Sequence, residues 1–462
     1  MTDLHFRSLT SVCRDLKSGA LSSVEVTRHM LARIEELEPR TRAFVTVLAD
    51  RALACATALD ASRARGEPLG GLHGVPMAIK DLLTTKGIRT TCGTEVLKNW
   101  QPEEDATVVT RLEAAGAVIL GKVKLTEGAF SHHHPQVIPP QNPWGADLWT
   151  GVSSSGSGVA VAAGLCFAAL GSDTGGSIRF PSASCGIVGI KPTYGLVSRF
   201  GAFPLADSLD HIGPMTRCVE DAARVLEAIA GYDAKDATSL RLVPPIYAAA
   251  LAGDVRGLRV GVDRDYASKG VDPSVNAVVQ LAVTALREQG ALVSDVIVPE
   301  HAALVSGWAV TCGVETALAH AATFPSQREH YGPQLAGLID LGHRAPASAY
   351  AALERERERF RAELQIVFDS IDVLVIPALP TPTPTLANIE SSLGRADGTA
   401  EFLTFTAPFD YSGHPTITLP AGLSSSGVPL AVQFVAALQG EARLIQAGCA
   451  WEKVAGTRNP TI

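Results

Sequence analysis

The reading of the chain turns on one stretch, Thr150–Pro192: TGVSSSGSGVAVAAGLCFAALGSDTGGSIRFPSASCGIVGIKP. Two hydroxyl clusters, Ser153-Ser-Ser155 and Ser172 to Ser177, flank a run of Gly, Ala and Val. A helix of such small residues makes sense where its backbone packs closely on other elements. In the second cluster, Asp173-Thr-Gly-Gly-Ser177 sets two glycines directly before a serine. Consecutive N–H groups around paired glycines can converge into a nest for an anion. A serine beside such a nest is placed for acyl transfer, because the oxyanion of a tetrahedral intermediate needs donors next to the nucleophile. On these residues alone, a Gly/Ser loop that merely turns the chain is the simpler explanation.

A serine nucleophile needs a base. The GxSxG elbow of α/β-hydrolases is absent: Arg179 lies two residues after Ser177, and Ser155 two after Ser153. The other candidate base is a lysine. Lys80 closes an apolar stretch, Val75-Pro-Met-Ala-Ile79. At a strand end drawn into the interior its ammonium form is disfavoured, and full burial lowers a lysine from about 10.4 by up to ~3–5 units. The competing reading is a surface lysine paired with Asp81.

The segment resembles the signature of the amidase signature family: a Gly-Gly-Ser-Ser-Gly-Gly-Ser stretch, a helix, then GSDTGGSIR-P and a CG-VG-KPT run. This chain has Gly151-Val-Ser-Ser-Ser-Gly-Ser157, Gly171-Ser-Asp-Thr-Gly-Gly-Ser-Ile-Arg179 and Cys185–Thr193. The likeness extends upstream to Gly74–Asp81 and Leu120-Gly-Lys122, and downstream to Ser208–Pro214 and Pro408–Gly422. It implies a Ser–cis-Ser–Lys triad with Ser177 as nucleophile, Ser153 as cis-serine 24 residues earlier, and Lys80 as base. It further implies an oxyanion hole from the N–H groups of Thr174, Gly175, Gly176 and Ser177, with Ser154, Asp173 and Arg179 in support. Val152 and Ser155 depart from the pattern, each standing where the family has glycine.

Outward from this core, strands alternate with helices. Ser22-Ser-Val-Glu25 is a capping box followed by Val26, Met30, Ile34 and Leu37 at helical spacing, with Pro39 as the expected stop. Asp105 is expected to cap a helix over Thr107–Ala115, ahead of a short strand at Ala117–Leu120. Further apolar runs at Leu258–Val262 and Val373–Pro377 argue for α/β architecture with a largely parallel sheet. The resemblance implies an α/β/α sandwich around a large mixed β-sheet in one domain over residues 1–462. Its signature core covers about 70–220 and a variable helical cap about 300–370. Glu354–Arg361 reads as a solvated helix face with paired charges, and Ser391–Thr399 as a flexible loop.

Composition narrows the function. Of 462 residues, 46% are hydrophobic and 19% charged, which excludes a disordered chain. A net charge of −8 repels phosphate backbones and anionic lipid, so neither nucleic acid nor a membrane is an expected partner. The N-terminus shows no secretory pattern, and the longest apolar run, Val159–Leu170, falls short of the ~18 residues a span needs. Eight scattered cysteines without a CxxC pair suggest reduced, mostly buried thiols in a cytoplasmic enzyme.

Three features are read as decoys. Gly116–Val123 approaches a Walker A, but the expected strand lies inside the match. His132-His-His134 are adjacent and so point apart on extended chain, which suits a rim better than a metal site. Arg179 is taken as part of the loop rather than a clamp for a substrate carboxylate.

The expected activity is hydrolysis of the C–N bond of a carboxamide or related carbamate through a serine acyl-enzyme, without metal or cofactor. The chain would act as a monomer or homodimer on a small molecule. The alternatives are an amidase subunit of a tRNA-dependent amidotransferase and a catalytically silent binding protein. The loop Ser131–Trp149 is expected to border the substrate, through His132, His133, Trp144 and Trp149.

Overall fold

Eleven strands form one sheet in the computed structural model, which describes residues 3–243, 246–324, 326–393, 395, 398–456 and 458–462. They are β1 (Phe44–Val47), β2 (Pro76–Lys80), β3 (Val118–Val123), β4 (Ala168–Asp173), β5 (Val188–Lys191), β6 (His211–Thr216), β7 (Arg259–Val262), β8 (Leu292–Asp295), β9 (Val373–Pro377), β10 (Thr416–Leu423) and β11 (Pro429–Ala436). Their order across the sheet is β1-β3-β2-β4-β6-β5-β10-β11-β9-β7-β8. Every residue of β2, β3, β4 and β5 is buried, as expected for strands covered on both faces.

Helices clasp both faces. Ser155–Ala162 and Arg179–Cys185 pack on each other, while Val219–Ile229, Pro273–Glu288 and Glu441–Ala455 form a second group. Arg179–Cys185 and Glu441–Ala455 both pack on β10 but not on each other, so they lie on opposite sides of the sheet. Helices Ala302–Ala319, Pro333–Arg344 and Ala347–Ser370 form a further cluster.

The α/β expectation holds, but the sheet is mixed rather than largely parallel. β2 runs parallel to β3 and β4, and β7 to β8 and β9; the other pairings are antiparallel. Strand–helix alternation cannot distinguish a crossover from β6, which lies antiparallel between β4 and β5.

Several local expectations are corrected. Pro39 does not stop its helix, which runs Ser23–Thr41 and ends at Arg42 with φ 51°. Pro39 has no N–H for the carbonyl four residues earlier, a single lost bond, and the helix closes within three residues of it. The cap of Thr107–Ala114 is Ala106; the Asp105 carboxylate instead accepts the Lys86 N–H at 2.6 Å. Residues 391–393 end one helix and Gly398 starts the next, while 394, 396 and 397 of the expected loop lie outside the described residues.

Glu354–Arg361 falls inside Ala347–Ser370. Arg359 pairs with Glu356 and Glu363 as expected, but Arg357 turns inward to the carbonyls of Tyr411 and Ser208, both at 2.7 Å. Ala302–Ala319 is long and apolar enough by length and composition to cross a bilayer, contrary to the sequence reading. Eight of its residues are buried in the protein, Trp308 and Cys312 among them.

Candidate active site

β2 and β4 are parallel neighbours, with Ile79 in register with Leu170. Their carboxyl ends therefore lie side by side, where open parallel sheets place ligands. Along β2 and the residue after it, side chains alternate, so Lys80 and Asp81 face opposite ways. Asp81 accepts from the Thr91 N–H at 2.9 Å and lies 3.4 Å from Lys122 Nζ. Lys80 turns instead to three hydroxyls: Ser153 Oγ at 2.8 Å, Ser154 Oγ at 2.7 Å and Ser172 Oγ at 2.9 Å. Lys80 is fully buried, so the surface pair with Asp81 does not exist. Burial pushes its ammonium down to about 7, although the Asp173 and Asp210 charges pull the other way.

The peptide Val152–Ser153 is cis. Its surroundings fix Ser153 from both sides. The Ser153 carbonyl accepts the Thr126 N–H at 3.1 Å, and the next residue, Ser154, donates its N–H to the Ser177 carbonyl at 3.3 Å. Ser154 Oγ donates to the Ser172 carbonyl at 3.2 Å, which leaves it as an acceptor toward Lys80. The helix Ser155–Ala162 is small-residued because it is close-packed; a Cβ on Gly156 would meet Ala43 O at 2.6 Å. Ser155 holds His133 Nε2 at 3.1 Å, so the unusual serine has a partner on the preceding loop.

The loop after β4 is tied by Asp173. Its carboxylate accepts the N–H groups of Gly176 at 2.6 Å, Ile178 at 2.9 Å and Arg179 at 3.3 Å. The Gly176 N–H, expected in the oxyanion set, is thus directed at Asp173, leaving Thr174, Gly175 and Ser177 as the remaining donors. Gly176 has φ 130°, and a Cβ there would lie 2.5 Å from the Phe180 ring. Ser177 is 9% exposed, whereas Ser153 and Lys80 are at 0%, so exposure falls from the Ser177 residue to the sealed amine.

Arg179 is fully buried, and its guanidinium donors are spent on Asp173, Asp410, the Thr406 carbonyl at 2.8 Å and Gln433 Oε1 at 3.4 Å. It braces the loop and has no donor left for a substrate.

The sequence profile described as Amidase matches residues 25–445. This chain belongs to the amidase signature family. Among its relatives, "Putative amidase AmiD" of Mycobacterium tuberculosis is 45% identical over 448 residues, 97% of this chain and 94% of that one. A glutamyl-tRNA(Gln) amidotransferase subunit of Moorella thermoacetica is 39% identical over 481 residues, 98% of this chain and 97% of the other. A solved bacterial aryl acylamidase, itself described as an amidase signature enzyme, superposes with a TM-score of 0.88 at 26% identity, covering 98% and 97% of the two chains. The chain is an amidase-family hydrolase.

Around this amidase loop the side chains are mostly apolar. Trp308, from Ala302–Ala319, donates its indole N–H to the Thr174 carbonyl at 2.9 Å and stacks on Phe130 with centroids 6.2 Å apart. A Cβ on Gly175 would meet the Trp308 ring at 2.7 Å. On the other flank, Trp149 lies 5.8 Å from Phe180 and 5.9 Å from Phe402 between ring centroids.

The expected rim is split. Trp149 joins this wall, but Trp144 donates to the Cys185 carbonyl at 2.8 Å and packs against Gly186. It sits at the far end of Arg179–Cys185, about 10 Å of helix from Ser177. The three histidines diverge: His132 to Ser131, His133 to Ser155 and His134 to the Gln136 N–H. Ser172 opens the second hydroxyl cluster but is given no role from sequence, and Trp308 is not singled out. Strand alternation in β4 could have found Ser172, but Trp308 is brought in from 131 residues further along the chain and carries no local signal.

Proposed function

We propose that this amidase hydrolyses uncharged aryl or alkyl carboxamides, and chemically related carbamates, through an acyl-enzyme on Ser177. The observation that carries the reading is Lys80 Nζ, sealed from water and bonded to Ser153 Oγ beside the Ser177 loop. A neutral Lys80 accepts the Ser153 proton while Ser153 accepts that of Ser177. Ser177 Oγ then bonds to the substrate carbonyl carbon. The N–H groups of Thr174, Gly175 and Ser177 stabilise the oxyanion. Collapse breaks the C–N bond, and the proton returns through Ser153 to the leaving amine. Water, deprotonated along the same route, releases the acid and restores Ser177.

Two arguments favour a neutral substrate, and the net charge of −8 favours a free-standing enzyme over one that holds tRNA. The charged groups near the loop (Lys80, Asp173, Arg179 and Asp210) are all bonded to the protein. The wall of Trp308, Phe130, Trp149, Phe180 and Phe402 suits a flat or extended apolar group. No metal or organic cofactor enters this chemistry. The reading places the enzyme in the cytoplasm as a monomer or homodimer, with no nucleic-acid partner.

The test is the purified chain alone on p-nitroanilides, primary amides and carbamates, with fluorophosphonate labelling mapped by mass spectrometry. Turnover without partners and labelling at Ser177, both lost in Ser177→Ala, is the expected result. Glutaminase activity that appears only with added partner subunits would establish the amidotransferase reading instead. Absence of label and of turnover would mark a silent binding protein.

A further inference from the structure

A second lysine is buried in the same sheet and has no part in the proposed chemistry. Lys191 ends β5 and is fully buried. Its Nζ makes three hydrogen bonds, to the His414 carbonyl at 2.7 Å, the Pro192 carbonyl at 3.3 Å and His211 Nε2 at 3.2 Å. His211 Nδ1 lies 2.6 Å from the Leu209 carbonyl, an acceptor only, so Nδ1 carries the ring proton and Nε2 is the acceptor. All three partners of Lys191 therefore accept. Three acceptors satisfy the three donors of an ammonium, whereas a neutral amine would waste its lone pair.

The charge it answers is two steps away. Arg179 is shared between Asp173 and Asp410. One guanidinium cannot neutralise two carboxylates. Asp410 Oδ2 takes Arg179, while its Oδ1 has no hydrogen-bond partner among the described residues and lies 3.6 Å from His211 Nδ1. His211 thus stands between Lys191 and Asp410. Asp410, Asp173, Arg179 and Lys191 are all fully buried. Burial alone pushes the Asp410 carboxyl up and the Lys191 ammonium down, while the charge of each favours the ionised form of the other. The other groups facing Lys191 are His414, which burial keeps neutral, and Glu441 on the C-terminal helix, which accepts the Thr193 N–H at 2.7 Å.

We propose that Lys191 is a positioning residue: a buried ammonium, held by three acceptors, that neutralises Asp410 and thereby frees Arg179 to brace the Asp173 carboxylate and the loop carrying Ser177. Without it, Asp410 competes with Asp173 for one guanidinium. Asp173 then loosens its hold on the N–H groups of Gly176 and Ile178, and the donors beside Ser177 lose their aim. The catalytic part of this inference rests on Ser177 being the nucleophile; the charge balance does not.

The experiment is a set of four variants: Lys191→Met, Asp410→Asn, the two combined, and Lys191→Met with Glu441→Gln. Melting temperature, kcat, KM on one anilide and the rate of fluorophosphonate labelling are read for each. Lys191→Met is expected to lower the melting temperature and to cut kcat and the labelling rate by about tenfold or more, with KM little changed. Adding Asp410→Asn is expected to recover most of both losses, because the stranded carboxylate is gone, and adding Glu441→Gln to recover neither. If Lys191→Met yields no folded protein, recovery of folded protein in the double variant is the same result. A double variant no better than Lys191→Met overturns the proposal, as does rescue by Glu441→Gln or wild-type behaviour of Lys191→Met. Recovery of melting temperature while no variant, wild type included, labels at Ser177 would uphold the charge pairing and reject Ser177 as nucleophile.

Discussion

Lys80 and Lys191 stand at the ends of two strands of one sheet, both fully buried, and burial presses both ammonium groups down to about 7. Their neighbours differ in kind. Lys80 faces three hydroxyls; Ser154 gives its proton to the Ser172 carbonyl, while no other bond among the described residues takes the Ser153 proton, so Ser153 can give it to Lys80. Lys191 faces two carbonyls and an acceptor nitrogen, which can only receive. Desolvation alone thus says little about what a buried lysine does; the donor capacity of its partners separates a base from a fixed cation.

The largest effects should set the two apart. Lys80→Met is expected to lower kcat on the order of 10⁴-fold, the upper range for a general base, yet to fold normally. Lys191→Met should instead weaken the fold, because stranding the Asp410 carboxylate outweighs the stability regained by removing a lysine whose own pKa is lowered. The linkage fixes a sign: the unfolded chain holds the Lys80 proton up to its ordinary 10.5 and the folded chain only to about 7. Lys80 therefore costs stability at acid and neutral pH, and the cost fades as pH rises from 7 toward 10.5. Thermal melts at about pH 6 should find Lys80→Met at least as stable as wild type, with the advantage shrinking at about pH 10. If Lys80→Met unfolds while Lys191→Met only loses activity, the two roles are reversed.

Next come the hydroxyls around Lys80. Ser153→Ala should cost about 10²–10³-fold in kcat, since a proton bridge is lost while the nucleophile remains. Ser172→Ala should cost about tenfold, since it removes one ligand of the amine but no step of the relay. Single-turnover kinetics on one anilide rank them; equal losses would make Ser172 part of the relay.

The pH profile sharpens the contrast further. The proposed relay needs neutral Lys80, so kcat/KM should rise with pH, reach half its limit near 7 and then level. Burial also raises Asp210 to about 6 and Glu127 to about 7, within the same window. Glu127 accepts the Gly332 N–H at 3.0 Å and lies off the relay. Glu127→Gln should leave the midpoint in place, as should Lys191→Met. A midpoint that moves with Glu127→Gln would mean the limb is not set by Lys80.

The smallest effects lie at the wall. Trp149→Ala should raise KM for an aryl substrate by about three- to tenfold, the loss of one aromatic contact. Trp144→Ala should leave kcat/KM unchanged across substrates of different size, because its ring packs at the far end of the loop helix.

What sequence could show follows the same division. Lys80, Ser153 and Ser177 sit in local runs whose roles come from the family resemblance, not from the residues alone. Apolar strands between helices point to α/β, but only the resemblance implies a mixed sheet. The direction of Lys80 was not fixed locally: Asp81 is its nearest charge in sequence, and only strand alternation sends the two apart. Asp410, Thr406 and Gln433 reach Arg179 from more than 200 residues away, so the brace has no signature near the loop it holds. Pro39 and Asp105 misled because a punctuating residue does not fix where a helix ends or which neighbour it caps when tertiary contacts offer another partner.

The order of the sheet has a consequence for how the protein is made. β1 to β6 form one half-sheet and β7 to β9 another, and they touch only through β10 and β11, which enter between β5 and β9. On the ribosome, the segment with Lys80, Ser153 and Ser177 emerges early but keeps an open strand edge at β5 until residues 416–436 arrive. The same late segment brings Gln433, and Asp410 lies just ahead of it, so the edge is sealed and the loop braced almost together. A nascent chain halted before this point would hold every residue of the relay and still present a bare edge to its neighbours, the kind of surface on which chains aggregate.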